Sequence, residues 1–389
     1  MEKKFECKTA YLRAFFFAAI LFAGLILYLV LPQHDFSQKE NRTLQTRPAV
    51  TLSGLADGSF MEKFETYTTE QLPFRTFFVD IKAGLSRLTL SRENNGIVLG
   101  KDGYLFEKTY GESAQLSKNE AAILHFIENA GRPVTVAIAP NATEVLKDKV
   151  PKGMPTVDQK AVIDAFYRRI DGLPEGKSVD VLSVLDANRE KQLYYRTDHH
   201  WTTEAAYLAY GEIVAALEEQ AGSQGGGTGT ALPETVSLES LTKHEARDFY
   251  GTHYAKFQAP SLQPDTLTWY DVPVNSFERS DGTYDTLYDL EKLQVYDKYA
   301  MFLRGNDELC VIRSDHAGNG RHLIVFKDSY ANCLIPFLTY QYDIITVVDL
   351  RYFAKSVSGL LTEDENADIL LLYNFSFLNE DNHFYRLTS

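Results

Sequence analysis

Apolar positions along the chain fall into three regimes. One block near the start is unbroken, a polar stretch follows with apolar residues at helical spacing, and a long region then alternates short apolar runs with amphipathic ones. The first regime, residues 1–32, centres on the uncharged run Ala14 to Leu31, extended backwards by Ala10 to Leu12 around Arg13. That is long enough to cross a bilayer as a helix. Lys3, Lys4, Lys8 and Arg13 precede it, whereas Gln33, His34 and Asp35 follow, so the positive-inside rule places the N-terminus in the cytoplasm and the remainder outside. A cleaved signal peptide is the alternative. The run is long for such a peptide, and no small-x-small site stands near Leu29 to Pro32, which favours an uncleaved single-pass signal anchor in the cell membrane.

The second regime, residues 33–110, reads as an extracytoplasmic stalk and hairpin packing on a main domain. Phe60, Phe64 and Tyr67 recur at helical spacing, and a second helical pattern runs from Phe74 through Ile81, Leu85 and Leu88. Gly96 to Phe106 predicts a hairpin whose Lys101-Asp102-Gly103 turn needs the glycine for positive φ.

The third regime, residues 111–389, predicts an α/β domain with a parallel sheet. Lys118 to Asn129 and Gln159 to Ile170 are helical, while Val134 to Ala139 and Val179 to Leu185 read as strands. Asn141, just past the first of these strands, is either a hydrogen-bond donor in a site or a turn residue or helix cap. Thr202 or Thr203 caps a helix carrying Tyr207, Tyr210, Val214 and Leu217 on its apolar face. Residues 221–230 are a Gly-rich insertion within this domain. Strand signals then recur at Leu267 to Val272, Arg321 to Phe326, Ile344 to Val348 and Ile369 to Tyr373, with a helical run Ala331 to Leu338 bent near Pro336.

Composition narrows the function classes. Lys and Arg total 39 against 53 Asp and Glu, a formal charge of -14, so no nucleic-acid surface is expected. The cysteines are Cys7, Cys310 and Cys333; a bridge between Cys310 and Cys333 in an oxidising compartment and two buried thiols both remain open. The 23 Tyr and 24 Phe are first of all core material.

Candidate chemistry concentrates in two places. Asp198-His199-His200-Trp201 lies in a loop feeding a helix N-terminus, and Lys327-Asp328-Ser329-Tyr330 follows an apolar strand directly. Strand, sharp turn with Ser, then helix is the geometry of a nucleophile elbow. A serine needs a base, and the base an orienting group. Asp198, His200 and Ser329 supply those parts, with the Ser329 and Tyr330 amides as oxyanion donors and Trp201 as a wall. His253 is a further candidate for the site lining, and Arg351 is either an anchor for the site or the partner of Asp349 in a structural ion pair. A metal site from Asp198, His199, His200 and His253 is the rival, but adjacent histidines lack the i, i+4 spacing of a zinc helix, so no metal is expected. A purely structural corner is the third reading.

Tyr194-Tyr195-Arg196-Thr197-Asp198-His199-His200-Trp201-Thr202 resembles the namesake motif of the bacterial DHHW family. Glu40-Asn41-Arg42, the Gly96 to Phe106 hairpin, Gly251-Thr252-His253-Tyr254, Lys327-Asp328-Ser329-Tyr330 and Asp349-Leu350-Arg351-Tyr352 extend the resemblance over most of the chain. That family is similar to SGNH-hydrolase-like proteins that O-acetylate alginate in the periplasm. The resemblance implies a three-layer SGNH-like α/β domain in the permuted order Asp, His, then Ser. It implies an O-acetyltransferase or acetylesterase without a cofactor, acting on a cell-surface or secreted polysaccharide. It also implies a polytopic membrane O-acyltransferase partner that delivers the acetyl group. Lys327 departs from the Gly expected before Asp328. A non-catalytic glycan-binding or assembly protein is the alternative from a different class.

Overall fold

The all-apolar run Val134–Ala139 is a strand buried on both faces, as parallel sheets covered by helices require. It belongs to the second of two compact units, residues 93–389, in a computed structural model describing residues 2–37, 42–78, 81, 92–223, 231–257 and 262–388. Glu40-Asn41, the helical pattern through Leu85 and Leu88, and most of the Gly-rich insertion (224–230) lie outside the described residues.

The central sheet of this unit has eight strands. In chain order they are β1 (Val134–Ala139), β2 (Gly176–Val179), β3 (Ser276–Arg279), β4 (Gly282–Tyr284), β5 (Leu309–Arg313), β6 (His322–Lys327), β7 (Ile344–Val348) and β8 (Asp368–Asn374). Across the sheet the order is β4-β3-β5-β7-β6-β8-β1-β2. The five strands from β7 to β2 are parallel, and β5, β3 and β4 extend one edge antiparallel. Alternate side chains serve opposite faces. Ala137, Val325 and Leu372 join a core with the helix Thr203–Ser223, while Val136, Ile324 and Leu371 join one with the helices Leu116–Asn129 and Gln159–Ile170. Helices therefore cover both faces, and the fold is α/β.

Three elements differ from expectation. The strand expected over Val179 to Leu185 stops at Val179, because Asp180 accepts from the Ser183 amide at 3.0 Å and caps a helix over Val181–Asp186. The apolar residues 181, 182 and 185 fit a helix face equally well. After β6 the chain makes a 3-10 turn, Ser329–Cys333, and then the short helix Ile335–Leu338, with Pro336 in its first turn where a missing N–H costs nothing. The strand anticipated near Leu267 runs Asp265–Tyr270 and pairs antiparallel with Lys243–Phe249. Ile97–Leu99 and Leu105–Glu107 form the expected hairpin, with Asp102 as well as Gly103 at positive φ. Cys310 and Cys333 are both buried and unpaired.

The other unit, residues 1–92, holds the helix Glu2–Val30. Its Tyr11–Val30 segment has mean hydropathy 2.3, which suits a membrane anchor or signal. Phe60, Phe64 and Tyr67 form one aromatic stripe on the helix Ser59–Glu70, and Tyr67 meets Tyr28 edge-on at 6.2 Å.

Candidate active site

Ser329 is the first residue past the cap of β6. Asp328 turns the chain there, its Oδ1 accepting from the Tyr330 amide at 2.8 Å and its Oδ2 from the Asn374 amide at 2.7 Å. The second bond ties the ends of neighbouring strands β6 and β8 together. The Tyr330 N–H, expected as an oxyanion donor, is thus already engaged: a capping carboxylate reaches it first. Asn141 stands at the end of the next strand, β1, where its Oδ1 accepts from Asn374 at 2.6 Å and its Nδ2 donates to Ser376. Lys327 points away from Ser329, to Asp349 at 3.2 Å and Asn306 at 2.8 Å. Arg351 grips the same Asp349 carboxylate with two bonds, at 2.9 and 2.6 Å, the structural ion pair that was one of its two readings.

The Asp-His loop is held from outside the sheet. Buried Asp265 accepts from the Thr197 amide at 2.8 Å, from its hydroxyl at 2.7 Å and from the Arg196 amide at 3.1 Å. Thr202 caps the following helix by accepting from the Ala205 amide. Trp201, fully buried, donates from Nε1 to the Tyr330 carbonyl at 2.9 Å, and the Tyr330 hydroxyl returns a bond to the His199 carbonyl. The two segments are thereby laced to each other.

The two halves meet in one line. His200 Nδ1 lies 2.6 Å from Asp198 Oδ1, and His200 Nε2 lies 2.8 Å from Ser329 Oγ. Asp198 Oδ1 also accepts the His200 amide, and Oδ2 accepts the Thr252 amide at 2.7 Å. This arrangement fixes the tautomer with Nδ1 protonated and Nε2 facing the hydroxyl. Tyr299 stacks on the His200 ring at 3.7 Å and 8°, and its hydroxyl donates to the Ser329 carbonyl at 3.1 Å. Gly251 is needed where it stands, since a Cβ there would lie 2.2 Å from Asp198.

Burial pushes the His200 imidazole down to about 4, helped by the neighbouring His199, so at physiological pH it is neutral, with an Nε2 lone pair available to take a proton. Burial alone would raise Asp198, but His199 and His200 hold its carboxyl well below the usual range. Burial opposes charge on half-exposed His199 too, yet Asp198 outweighs it and the ring's pKa is raised. Burial lifts Asp328 to about 6 against two backbone N–H bonds.

Asp198, His199 and His200 bring donor atoms within 4.8 Å of one another, the only grouping of metal-ligating side chains among the described residues. The donor set fits a metal poorly. Both Asp198 oxygens and both His200 nitrogens are already bonded, leaving His199 Nδ1. His253 lies to one side, its ring 6.0 Å from that of His199. A surface recess lined by Pro133, Pro174 and Lys177 is at the amino ends of β1 and β2, the opposite end of the sheet from Ser329. Tyr299, Thr252 and Asp265 were not among the expected site residues; only Thr252 had a local signal, beside His253 in the Gly251 to Tyr254 block.

A family model described as DHHW protein matches residues 95–348. A protein of Pseudomonas syringae pv. tomato named probable alginate O-acetylase AlgJ is 24% identical over 217 residues, 53% of this chain and 54% of that protein. Its namesake in Pseudomonas fluorescens is 22% identical over 211 residues, 52% of each. The chain spans about half the length of the curated relatives it matches. Among solved structures, a DHHW family protein from Eubacterium siraeum has a TM-score of 0.61 at 21% identity, covering 76% of this chain and 96% of that one. Bacillus cereus PatB1 has a TM-score of 0.59 at 21% identity, covering 74% and 98%. These likenesses show a shared fold.

Proposed function

The chain belongs to the DHHW family, and from that premise we propose that it is a membrane-anchored extracytoplasmic O-acetyltransferase, or acetylesterase, of a cell-surface or secreted polysaccharide. The observation that carries this reading is the unbroken line Asp198, His200, Ser329 at 2.6 and 2.8 Å. His200 takes the Ser329 proton as Oγ attacks the acetyl carbonyl, and Asp198 steadies the imidazolium that forms. The Ser329 amide, which unlike that of Tyr330 is not taken up by the Asp328 carboxylate, is the candidate oxyanion donor. His200 then protonates the departing alcohol, leaving acetyl-Ser329. A sugar hydroxyl gives its proton to His200, attacks the acetyl carbon and displaces Ser329 Oγ, which takes that proton back from His200; water in its place gives the esterase reaction.

Three features support the surrounding claims. Numbered from the strand before the serine, the parallel strands β7-β6-β8-β1-β2 read 2-1-3-4-5, the doubly wound order, which supports an SGNH-like domain entered at a permuted point. Ser329 then stands at the carboxyl ends of the strands where the order reverses, the general position of ligand sites in such sheets. The polysaccharide comes from the relatives named as alginate O-acetylases. The apolar helix, with its basic residues on the N-terminal side, supports a cytoplasmic N-terminus, with the stalk and hairpin of residues 33–110 and the catalytic domain over 111–389 outside. Such a domain would receive acetyl groups from a polytopic membrane O-acyltransferase.

The full chain in detergent should turn over p-nitrophenyl acetate and acquire one acetyl group on Ser329 by mass spectrometry. Ser329→Ala should lower the rate by about three orders of magnitude, and EDTA should leave it unchanged. A parent protein that binds glycan but never acylates would instead be the non-catalytic glycan-holding protein.

A further inference from the structure

The residues that follow the apolar N-terminal helix return to its outer end. Tyr67, on the helix Ser59–Glu70, meets Tyr28 edge-on at 6.2 Å, and the Gln33 side chain donates to the Tyr67 hydroxyl at 2.5 Å. One turn further, the Gln71 side chain accepts from the His34 amide at 3.1 Å and donates to the His34 carbonyl at 2.9 Å. Tyr28 lies within the apolar span Tyr11–Val30, and His34 lies just beyond it. The four residues from Leu31 to His34 reach at most about 14 Å, and the interfacial layer outside the hydrocarbon is about 5–8 Å thick. A chain pinned at both points enters its next turn at the level of the bilayer surface.

That next stretch carries Leu72, Phe74, Phe77, Phe78 and Ile81, all between 42% and 63% exposed. The chain turns at Pro73 and Phe74, and Arg75 to Phe78 is helical, the Phe78 amide donating to the Phe74 carbonyl at 3.2 Å. Phe74, Phe77, Phe78 and Ile81 follow the i, i+3, i+4, i+7 spacing of one helix stripe, and the rings of Phe77 and Phe78 meet edge-on at 5.8 Å. Single exposed apolar residues are ordinary, but a contiguous row of them marks a binding surface. Arg75 and Thr76 interrupt the row, as in helices that lie in an interface with a polar side toward water and headgroups.

We propose that this stripe is an interfacial foot, lying against the outer leaflet beside the chain's own membrane helix with phospholipid as its occupant. The foot rests on the reading of Tyr11–Val30 as a membrane anchor. Continuity selects lipid over protein: the stripe begins directly after Gln71, which is fastened at the end of a span in which no residue is buried.

The test puts one indole on the stripe. The full chain carrying Phe77→Trp, and separately Phe78→Trp, is reconstituted in phosphatidylcholine nanodiscs with and without bromine on the upper acyl chain, and the emission of the parent, from Trp201 and Trp269, is subtracted. The added emission should be blue-shifted and should fall about twofold or more on brominated lipid, as the depth of an interfacial helix requires. Blue-shifted emission that bromine leaves unquenched in both variants overturns the proposal, because the stripe is then covered by protein, either a second copy or the larger unit of the same chain. Unquenched emission at the wavelength of indole in water also overturns it, because the stripe then faces solvent. A parent that alkaline carbonate extracts from membranes removes the anchor reading itself, and the foot with it.

Discussion

Adjacent histidines with opposite environments give the site its pH response. His200 is buried between Tyr299 and Asp198, and half-exposed His199 lies beside it, its ring 3.8 Å away and its Nδ1 3.5 Å from the same Asp198 oxygen. The positive His199 is one of the causes that lower His200 to about 4. The acid limb of kcat/KM for a chromogenic acetyl ester should therefore lie well below the ordinary imidazole value of about 6.5. In His199→Gln it should move to higher pH. Asp328 has the opposite sign for stability. Its folded pKa, raised to about 6, lies above an unfolded value of about 3.9. The stabilising contribution is complete below about 3.9 and is lost as pH rises through about 6, at most about 3 kcal/mol. Asp328→Asn should thus be more destabilising at pH 4 than at pH 7 in denaturant titrations.

At the scale of elements, a few short loops decide where the side chains stand. Asp198 is caged by the 251–254 segment, whose Gly251 leaves no space for a side chain. Gly251→Ala should lower esterase activity at least about a hundredfold while leaving far-UV circular dichroism intact, because the displaced group is the one that orients the base. Asp198, His200 and Ser329 were legible in the sequence because each belongs to a compact local pattern. Tyr299 and Asp265 were not, since they reach the site from 30 and 68 positions away along the chain. Nothing in their own neighbourhoods reports such contacts. The Val179 to Leu185 run was misread for a different reason. Short apolar runs do not separate strand from helix, and the Asp180 cap decides. The helices over Leu116–Asn129 and Gln159–Ile170, by contrast, carried enough turns to be read directly, the first starting two residues before Lys118.

For the whole molecule, the 29-residue helix Glu2–Val30 and the residues Asp198, His200 and Ser329 belong to different units of one chain. In the proposed orientation, protease added to intact spheroplasts should degrade everything beyond about residue 33 and spare an epitope fused before Met1; the reverse pattern would refute that orientation. The strand order also has a cost during assembly. β8, last of the eight in sequence, pairs with β6 on one side and β1 on the other, at the middle of the sheet. Until it arrives, the partial sheets on either side present two apolar edges with unsatisfied backbone groups, open to pairing with other chains. A chain that emerges in order from its N-terminus therefore stays vulnerable to aggregation until that one seven-residue strand has slotted home.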